Sequence, residues 1–200
     1  MDSLKIYNIR NEYIKYLRGF DKKVTIIKDK GKARPFVGVV LEINDFNYFA
    51  PFSSPEKDED GNLTEEYKKY FSKNSKPTYE KIENLKYGTI NINNMIPVPL
   101  SELISFKIED IEDIDYRNIL QDQYFYCNNN KTRIFNKANK LYDLVTIKKQ
   151  SHFVNLSCNF KWLEQKSLDY VKTQEIKQGY EQAAYVHESK QWNKLTVFLF

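Results

Sequence analysis

The chain contains few cysteine, glycine and proline residues, which are abundant in disulfide-rich, collagen-like and disordered proteins. Cysteine occurs twice in 200 residues, and glycine and proline occur six times each. Cys127 and Cys158 cannot form a disulfide framework, and their small number suits a reducing cytosol. The low glycine and proline content argues against a collagen-like or largely disordered chain. We therefore expect a globular protein that acts in the cytoplasm.

Long apolar runs and an N-terminal signal are also missing. The longest apolar runs, such as 36–41 and 197–200, are far too short to cross a bilayer. Residues 1–10 lack the apolar segment of a secretory signal. We therefore expect neither a membrane anchor nor a membrane partner.

Side chains that often carry metal or nucleophilic chemistry are sparse. The two histidines, His152 and His187, lie 35 residues apart, and no Cys or His pair has zinc-site spacing. Neither a glycine-rich phosphate loop nor a Gly-x-Ser-x-Gly motif occurs. The carboxylates of residues 109–115 match no metal-binding motif. We therefore expect no metal, no cofactor and no histidine-dependent hydrolysis.

Basic residues are concentrated at the two ends of the chain. The net charge is +4, from 31 Lys and Arg against 27 Asp and Glu. Residues 1–34 and 123–200 each carry a net +6, whereas residues 35–122 carry a net −8. If the fold brings the two ends together, they form a positive surface suited to a polyanion; otherwise the lysines only make the helices soluble.

Hydrophobic periodicity changes near residue 110. Alternating and β-branched residues predict a hairpin of 35–43 and 48–52, in which Gly38 marks a bulge or a close approach. Spacings of three and four residues predict helices over 11–19, 64–72, 116–127, 132–149, 159–172 and 174–184. We therefore predict a single α+β domain, strand-rich over 1–110 and helix-rich over 111–200.

Side-chain caps and a final strand complete the predicted elements. Asn11 is predicted to cap the first helix, and Ser157 or Asn159 is predicted to cap the fifth. The apolar segment 195–200 is predicted to be a short strand.

Hydroxyl-bearing and cationic residues surround the predicted hairpin. Lys32 and Arg34 enter its first strand, and Ser53, Ser54 and Lys57 follow its second. Because both strand ends lie at the open end of the hairpin, we expect the arginine and the serines to be neighbours. Arginine and lysine bind phosphate, and hydroxyls can hold its oxygens or relay a proton. Such a set suits a phosphodiester with its own nucleophile, as RNA has in its ribose 2′-hydroxyl.

Five blocks of sequence carry a family resemblance. In chain order they are Glu12–Leu17 (EYIKYL), Phe36–Ile43 (FVGVVLEI), Tyr48–Pro55 (YFAPFSSP), Gly88–Ile92 with Met95–Pro97, and Cys158–Phe160 with Leu163–Glu164. In order and spacing they resemble the ToxN/AbiQ endoribonucleases, the toxins of type III toxin–antitoxin systems. Segment 58–76 looks longer than is usual in that family, and 173–200 extends beyond the matching part.

The resemblance implies both a fold and an activity. The implied fold is a compact SH3-like antiparallel β-barrel of the Kid and MazF type, with several helices mostly in the C-terminal half. The implied activity is metal-independent cleavage of single-stranded A-rich RNA, leaving a 2′,3′-cyclic phosphate and a 5′-hydroxyl. Members of the family process their own repetitive antitoxin RNA, which inhibits them in assemblies that are often ring-like. They serve in plasmid maintenance and in phage defence by abortive infection; no DNA partner is expected.

The resemblance also assigns site residues. Tyr13 falls on the family's active-site tyrosine, Ser53 and Ser54 fall on its Thr/Ser–Ser pair, and Arg34 falls where a relative has lysine. That relative has a lysine directly after the Ser-Pro, whereas another residue intervenes here before Lys57. The predicted catalytic residues are Tyr13, Arg34, Ser53, Ser54 and Lys57.

Four further residues are candidate RNA contacts, and two other functions stay open. Lys32 can replace the neighbouring arginine as the phosphate ligand, Phe52 either stacks a base or packs in the core, and Lys131 and Arg133 either hold RNA or face solvent. An RNA-binding module of the same fold would bind without cleaving. An SH3-like module would bind proline-rich proteins, which the basic ends disfavour.

Overall fold

The computed structural model describes residues 4–25, 35–72 and 77–197, which form an antiparallel sheet with six helices. The strands are β1 (Lys5–Ile9), β2 (Phe36–Ile43), β3 (Phe46–Ser53), β4 (Glu80–Lys81), β5 (Thr89–Ile90), β6 (Ile96–Pro97) and β7 (Leu103–Ile104). The helices are α1 (Asn11–Phe20), α2 (Glu65–Ser72), α3 (Ile114–Asn129), α4 (Lys131–Thr146), α5 (Ser151–Leu156) and α6 (Phe160–Val197). No helix among the described residues is both long enough and apolar enough to span a membrane.

The sheet is open. Its strand order is β4-β5-β3-β2-β1-β7, with β6 paired to β3 off this path. A closed barrel requires the first and last strands to pair, and β4 and β7, with two residues each, do not pair in the described part of the chain. The antiparallel sheet and the helix-rich C-terminal half confirm the predicted α+β class, whereas the closed SH3-like barrel is not confirmed.

The β2–β3 hairpin follows directly from its sequence. Asn44 and Asp45, with φ of 48° and 65°, form its two-residue turn, because both types tolerate the left-handed region that such turns require. The predicted irregularity at Gly38 is confirmed, since the register shifts between Gly38 and Leu41. A Cβ atom at Gly38 would lie 2.0 Å from the ring of Phe49, so only glycine fits beneath that ring.

The two basic ends of the chain pack together. The Asn128 side chain accepts a hydrogen bond from Leu4 N (2.9 Å) and donates one to its carbonyl oxygen (3.0 Å). Asn159 N donates to Asp21 Oδ2 (2.7 Å), which joins the end of α1 to the start of α6. The predicted positive surface required the two ends to come together, and the described parts of both ends do so.

Buried hydrogen bonds tie α6 to the sheet. Glu164 of α6 accepts hydrogen bonds from the hydroxyls of Tyr48 on β3 (2.8 Å) and Tyr142 on α4 (2.6 Å). Its other carboxylate oxygen lies 2.9 Å from Lys161 Nζ. Three elements thus share one carboxylate, and this fixes α6 over β3.

The helices differ from prediction in three places. The six-residue α5 was not predicted, because six residues are too few to show a helical period. The predicted helices 159–172 and 174–184 are one helix, since no proline separates them; α6 also includes 195–197, where a strand was predicted, while 198–200 lie outside the described residues. Trp162 N bonds to Asn159 Oδ1 (3.2 Å), which confirms that cap, whereas Asn11 is the first helical residue and caps nothing.

Candidate functional site

The serine pair lies where β3 ends. Ser53 is the last residue of β3 and pairs with Thr89 of β5. Gly88 precedes that partner with a φ of +90°, and a Cβ atom there would lie 1.9 Å from the Ser53 carbonyl oxygen. Glycine is therefore required for the two segments to approach each other. The close packing fixes the backbone from which Ser54 follows.

Both serine hydroxyls are open to a ligand. Ser54 is exposed and Ser53 is half-buried. Neither hydroxyl forms a hydrogen bond within the described residues. A rigid backbone that carries unpartnered hydroxyls suits the binding of a polar ligand such as a phosphate.

Lys57 begins an ordered turn just after the serines. It forms a β-bridge with Leu63, and Asn62 N donates to Asp58 Oδ1 (2.8 Å) inside the turn. The Lys57 side chain is exposed and has no ion pair in the described part of the chain. The structure thus places a cationic side chain three residues beyond Ser54.

The other predicted cations, Lys32 and Arg34, lie outside the described residues. The chain resumes at Pro35, whose carbonyl oxygen accepts a hydrogen bond from Phe52 N (3.1 Å). Phe52 directly precedes the serine pair. The predicted nearness of Arg34 to the serines therefore stays a prediction, although its chain neighbour Pro35 lies beside them.

Tyr13 lies in a different part of the molecule. It is fully buried on α1, where its hydroxyl donates to the Pro97 carbonyl oxygen (2.7 Å) and lies 2.9 Å from Ser167 Oγ. Pro97 is opposite Tyr48, five residues before Ser53 on β3, which corresponds to about 16 Å along a strand. The structure does not bring the Tyr13 hydroxyl to the serine pair. The sequence match gave its position in the chain but not the direction in which its side chain points.

Phe52 and Arg133 have structural partners. Phe52 is 4% exposed and belongs to the main hydrophobic core, so its ring does not face a base. Arg133 on α4 forms an ion pair with the buried carboxylate of Glu80, which also binds Lys137 Nζ (2.6 Å). Lys131, the first residue of α4, is half-buried. Phe52 therefore packs in the core, which was one of its two predicted alternatives, whereas Arg133 forms an ion pair that neither of its alternatives, RNA contact or solvent, included.

The Glu80 carboxylate is held in its charged form. Burial opposes its ionisation, but hydrogen bonds from Lys137 and Tyr126 and the positive charges of Lys137 and Arg133 outweigh burial. The pKa of Glu80 is therefore lower than usual. This network fixes β4, and through it β5, against α3 and α4.

A groove opens beside the serine pair. It encloses about 1550 Å³. It is lined by Ser53, by the asparagines Asn91, Asn93 and Asn94, by α2 residues including Tyr67, Tyr70 and Phe71, and by His152 and Leu156 of α5. Sequence reasoning missed this groove, and it missed the place of His152 in it, because no local pattern links segments so far apart. In the described part of the chain, no three His, Cys, Asp or Glu side chains are grouped to hold a metal ion.

Two buried phenols, Tyr67 beside the groove and Tyr13 on α1, stay protonated at neutral pH. The Tyr67 hydroxyl is buried and has no hydrogen-bond partner among the described residues, and burial raises the pKa of Tyr67 to about 12. Burial likewise raises the pKa of Tyr13 well above its usual value. Neither phenol is suited to take a proton from an attacking hydroxyl at neutral pH. A lysine, a serine-linked relay and a water remain as candidates for that proton acceptor.

Fold and site together define a class of protein. It is an α+β protein whose central hairpin ends in two serines without hydrogen-bond partners among the described residues, the first of them lining a groove, and whose two basic chain ends pack together. A family model described as "Toxin ToxN, type III toxin-antitoxin system" matches residues 5–167. The chain belongs to this toxin family, as the resemblance predicted.

Individual relatives agree with the family match. The chain is 34% identical over 184 residues to endoribonuclease ToxN of Bacillus thuringiensis subsp. kurstaki, covering 88% of this chain and 89% of that protein. It is 36% identical over 174 residues to endoribonuclease AbiQ of Lactococcus lactis subsp. lactis, covering 85% and 91%.

Solved structures show the same fold. The structure of AbiQ, a lactococcal anti-phage endoribonuclease, superposes with a TM-score of 0.74 at 33% identity, covering 86% of this chain and 99% of that one. A structure from work on selective toxin inhibition by a non-coding RNA pseudoknot gives a TM-score of 0.69 at 34% identity, covering 84% and 98%.

Proposed function

We propose that this chain is an endoribonuclease toxin that cuts single-stranded, A-rich RNA in the cytoplasm without a metal ion. The ribose 2′-oxygen attacks the adjacent phosphorus and loses its proton, and the bond from phosphorus to the 5′-oxygen breaks. The 5′-oxygen takes up a proton, so the products are a 2′,3′-cyclic phosphate and a 5′-hydroxyl. The observation that carries the proposal is the fixed, unpartnered serine pair of a chain whose relatives are named endoribonucleases.

In this proposal the serines and the nearby cations stabilise the transition state. The Ser53 and Ser54 hydroxyls donate to the nonbridging oxygens, where negative charge develops. Lys57 and Arg34, or Lys32 in its place, neutralise that charge, and an arginine can do so with two parallel hydrogen bonds. The support for Lys57 is its exposure close to the serines. The support for Arg34 is its position next to Pro35, which bonds to the end of β3.

Residues assigned by resemblance but placed elsewhere take other roles in the proposal. Tyr13 is a positioning residue that ties α1 to β6 and α6. Phe52 supports the serine backbone from the core. Arg133 holds β4 through its ion pair, and it shares with Lys131 a basic helix on which RNA outside the groove would rest.

The proposed partner is a repetitive antitoxin RNA that the toxin processes and that then inhibits it in a closed, ring-like assembly. The packed basic ends support a polyanionic partner, because their described parts meet at α1 and α6. Relatives support an RNA in particular, since one solved structure concerns inhibition by an RNA pseudoknot and another a processed non-coding RNA in an antiviral system. We also propose that the protein acts in phage defence, because one of these structures concerns an antiviral system.

A single chimeric substrate tests the reaction. Purified protein is incubated in EDTA with an A-rich RNA, and with the same RNA carrying one 2′-deoxy sugar at the mapped cut. We expect the first to be cut to a cyclic phosphate and a 5′-hydroxyl, and the second to stay intact at that link. Scission at the deoxy position would exclude 2′-hydroxyl attack. Uncut RNA that nevertheless binds in a salt-sensitive manner would favour the RNA-binding module instead.

A further inference from the structure

The groove beside the serines is lined by aromatic rings and side-chain amides, which cleavage at a phosphate does not need. The exposed ring of Tyr70 (72% exposed) packs edge-on against Phe71, with ring centroids 4.9 Å apart. Phe71 is in turn held by Tyr79 at 4.8 Å and by Tyr67 at 4.8 Å. One accessible aromatic ring is thus backed by three others that lie in a satellite core. Such a ring is a platform on which an unpaired base can stack.

Two asparagines present hydrogen-bonding atoms in the same groove. The Asn91 side-chain oxygen accepts from Thr89 Oγ1 (2.9 Å), which fixes the amide, while its nitrogen has no partner in the described residues. The Asn93 side-chain nitrogen donates to Leu156 O (3.0 Å), and its oxygen is without a partner there. One amide therefore offers a donor and the other an acceptor. Both have fixed orientations, as reading a base edge requires.

The charges in this groove do not favour a phosphate chain. Lys68 and Lys69 line it, but so do the carboxylates of Glu56, Glu65 and Glu66. One of the lysines, Lys68, pairs with Glu65 at 2.7 Å. Aromatic rings, oriented amides and an excess of carboxylates over lysines fit the bases of a single strand better than its backbone.

We propose that the groove between α2 and α5 binds the unpaired bases next to the scissile phosphate, with Tyr70 stacking one base and Asn91 and Asn93 reading base edges. The proposal rests on the proposed function for the nature of its ligand. It assigns a role to part of the long segment 58–76, because α2 supplies the aromatic side of the groove. It also makes the groove, rather than the serines, the source of sequence preference.

The chain offers a matched control for the stacking ring. Tyr70 and Tyr180 are exposed to the same degree, 72% and 73%, but Tyr180 lies on α6 and does not line the groove. Tyr70→Ala and Tyr180→Ala are compared on a ten-nucleotide A-rich RNA. We expect KM to rise about tenfold for Tyr70→Ala, the loss of one stacked base, with kcat changed less than about twofold. Tyr180→Ala should match the wild type in both constants.

Asn91→Ala and Asn93→Ala test the base-reading amides. Each variant is given a pool of RNAs randomised around the cut, and the new 5′ ends are sequenced. We expect each substitution to relax the preference at one position and to leave the other positions unchanged. Circular dichroism confirms that the variants are folded.

Binding of an uncleavable RNA separates this proposal from the proposed function. The 2′-deoxy-substituted oligonucleotide is titrated against wild type, Tyr70→Ala and Tyr180→Ala by fluorescence anisotropy. Weaker binding by Tyr70→Ala alone supports the base site even if the wild type cuts no RNA. Equal binding by all three, with unchanged cleavage profiles for the asparagine variants, overturns it.

Discussion

This protein contains two groups of hydroxyls, one buried and one accessible, and they differ in whether they have hydrogen-bond partners among the described residues. Tyr13 and Ser167 are 0% and 4% exposed; their hydroxyls bond to each other, and the Tyr13 hydroxyl also bonds to the Pro97 carbonyl oxygen. Ser53 lines the groove and Ser54 follows it in the chain, and neither hydroxyl has a partner in the described residues. The family resemblance assigns Tyr13 and the two serines to one catalytic site. The structure separates them into a tie that stabilises the fold and a pair that is free to bind.

The difference shows that hydrogen-bond satisfaction, more than residue type, distinguishes the two groups. A buried hydroxyl whose bonds are complete stabilises the native state, and removing it leaves its partners unsatisfied. An accessible hydroxyl without a partner adds little to stability and is available to a ligand. Four experiments test this contrast, and the largest effect is expected at the serines.

Ser54→Ala should reduce the cleavage rate by about 10²–10³-fold, the loss typical of one donor to a developing oxyanion. The melting temperature should not change, because the Ser54 hydroxyl has no hydrogen-bond partner among the described residues. The measurements are single-turnover cleavage of an A-rich RNA and thermal melting. Ser105→Ala, an exposed serine in the segment after β7, is the control. Full activity of Ser54→Ala would remove this serine from the mechanism.

Gly88→Ala should destabilise the protein by about 2–3 kcal/mol, because left-handed strain is joined by a collision with the Ser53 carbonyl. Gly61→Ala is the matched control, since its φ is +81° but nothing lies within 4 Å of the added Cβ. It should cost only the strain, about 1–2 kcal/mol. Urea unfolding measures both free energies. Equal losses would mean that β5 does not press against the serine backbone.

Tyr13→Phe should cost about 1–3 kcal/mol of stability, because the Pro97 carbonyl and the Ser167 hydroxyl lose a buried partner. Cleavage by the folded variant should stay within about threefold of the wild type if the tyrosine only positions α1. Tyr16→Phe on the same helix is the control. A folded but inactive Tyr13→Phe would return this phenol to the chemistry and erase the contrast between the two groups.

Glu80 gives the smallest predicted effect, and it depends on pH. Its pKa is lowered in the folded protein, so its charged form adds stability above the pKa of the unfolded chain. That stability is lost as pH falls through the lower folded pKa. Below pH 5 the free energy of unfolding should therefore fall more steeply for the wild type than for Glu80→Gln. Denaturant unfolding from pH 7 to pH 3 measures the slopes, with Glu65→Gln, from an exposed ion pair, as the control. Parallel slopes would show that the network does not hold the charge.

Much of the fold follows from local pattern. The β2–β3 hairpin was predictable from its alternating apolar residues and the turn that begins at Asn44. Gly38 predicted an irregularity, and the register of the hairpin does shift there. The short α5 carried no periodic signal, and the single helix α6 was predicted as two helices. Closure of the sheet was inferred from resemblance alone, and the two-residue edge strands do not provide it.

The candidate site likewise has parts that local sequence predicts and parts that it does not. Placing the serines at the open end of a hairpin needed only chain connectivity, which is local. The partners of the Tyr13 hydroxyl could not be predicted, because sequence similarity identifies a position on a helix, whereas the packing of α1 against α6 decides which way the side chain points. Local sequence pattern and composition alone therefore specify the hairpin, the serine pair at its end and the basic character of the two termini. The groove joins β3, the segment after β5, α2 and α5, whose contacts are set by burial and hydrogen bonding between distant segments. These long-range contacts leave no periodic trace in any one segment, so only the assembled molecule reveals where a base could bind.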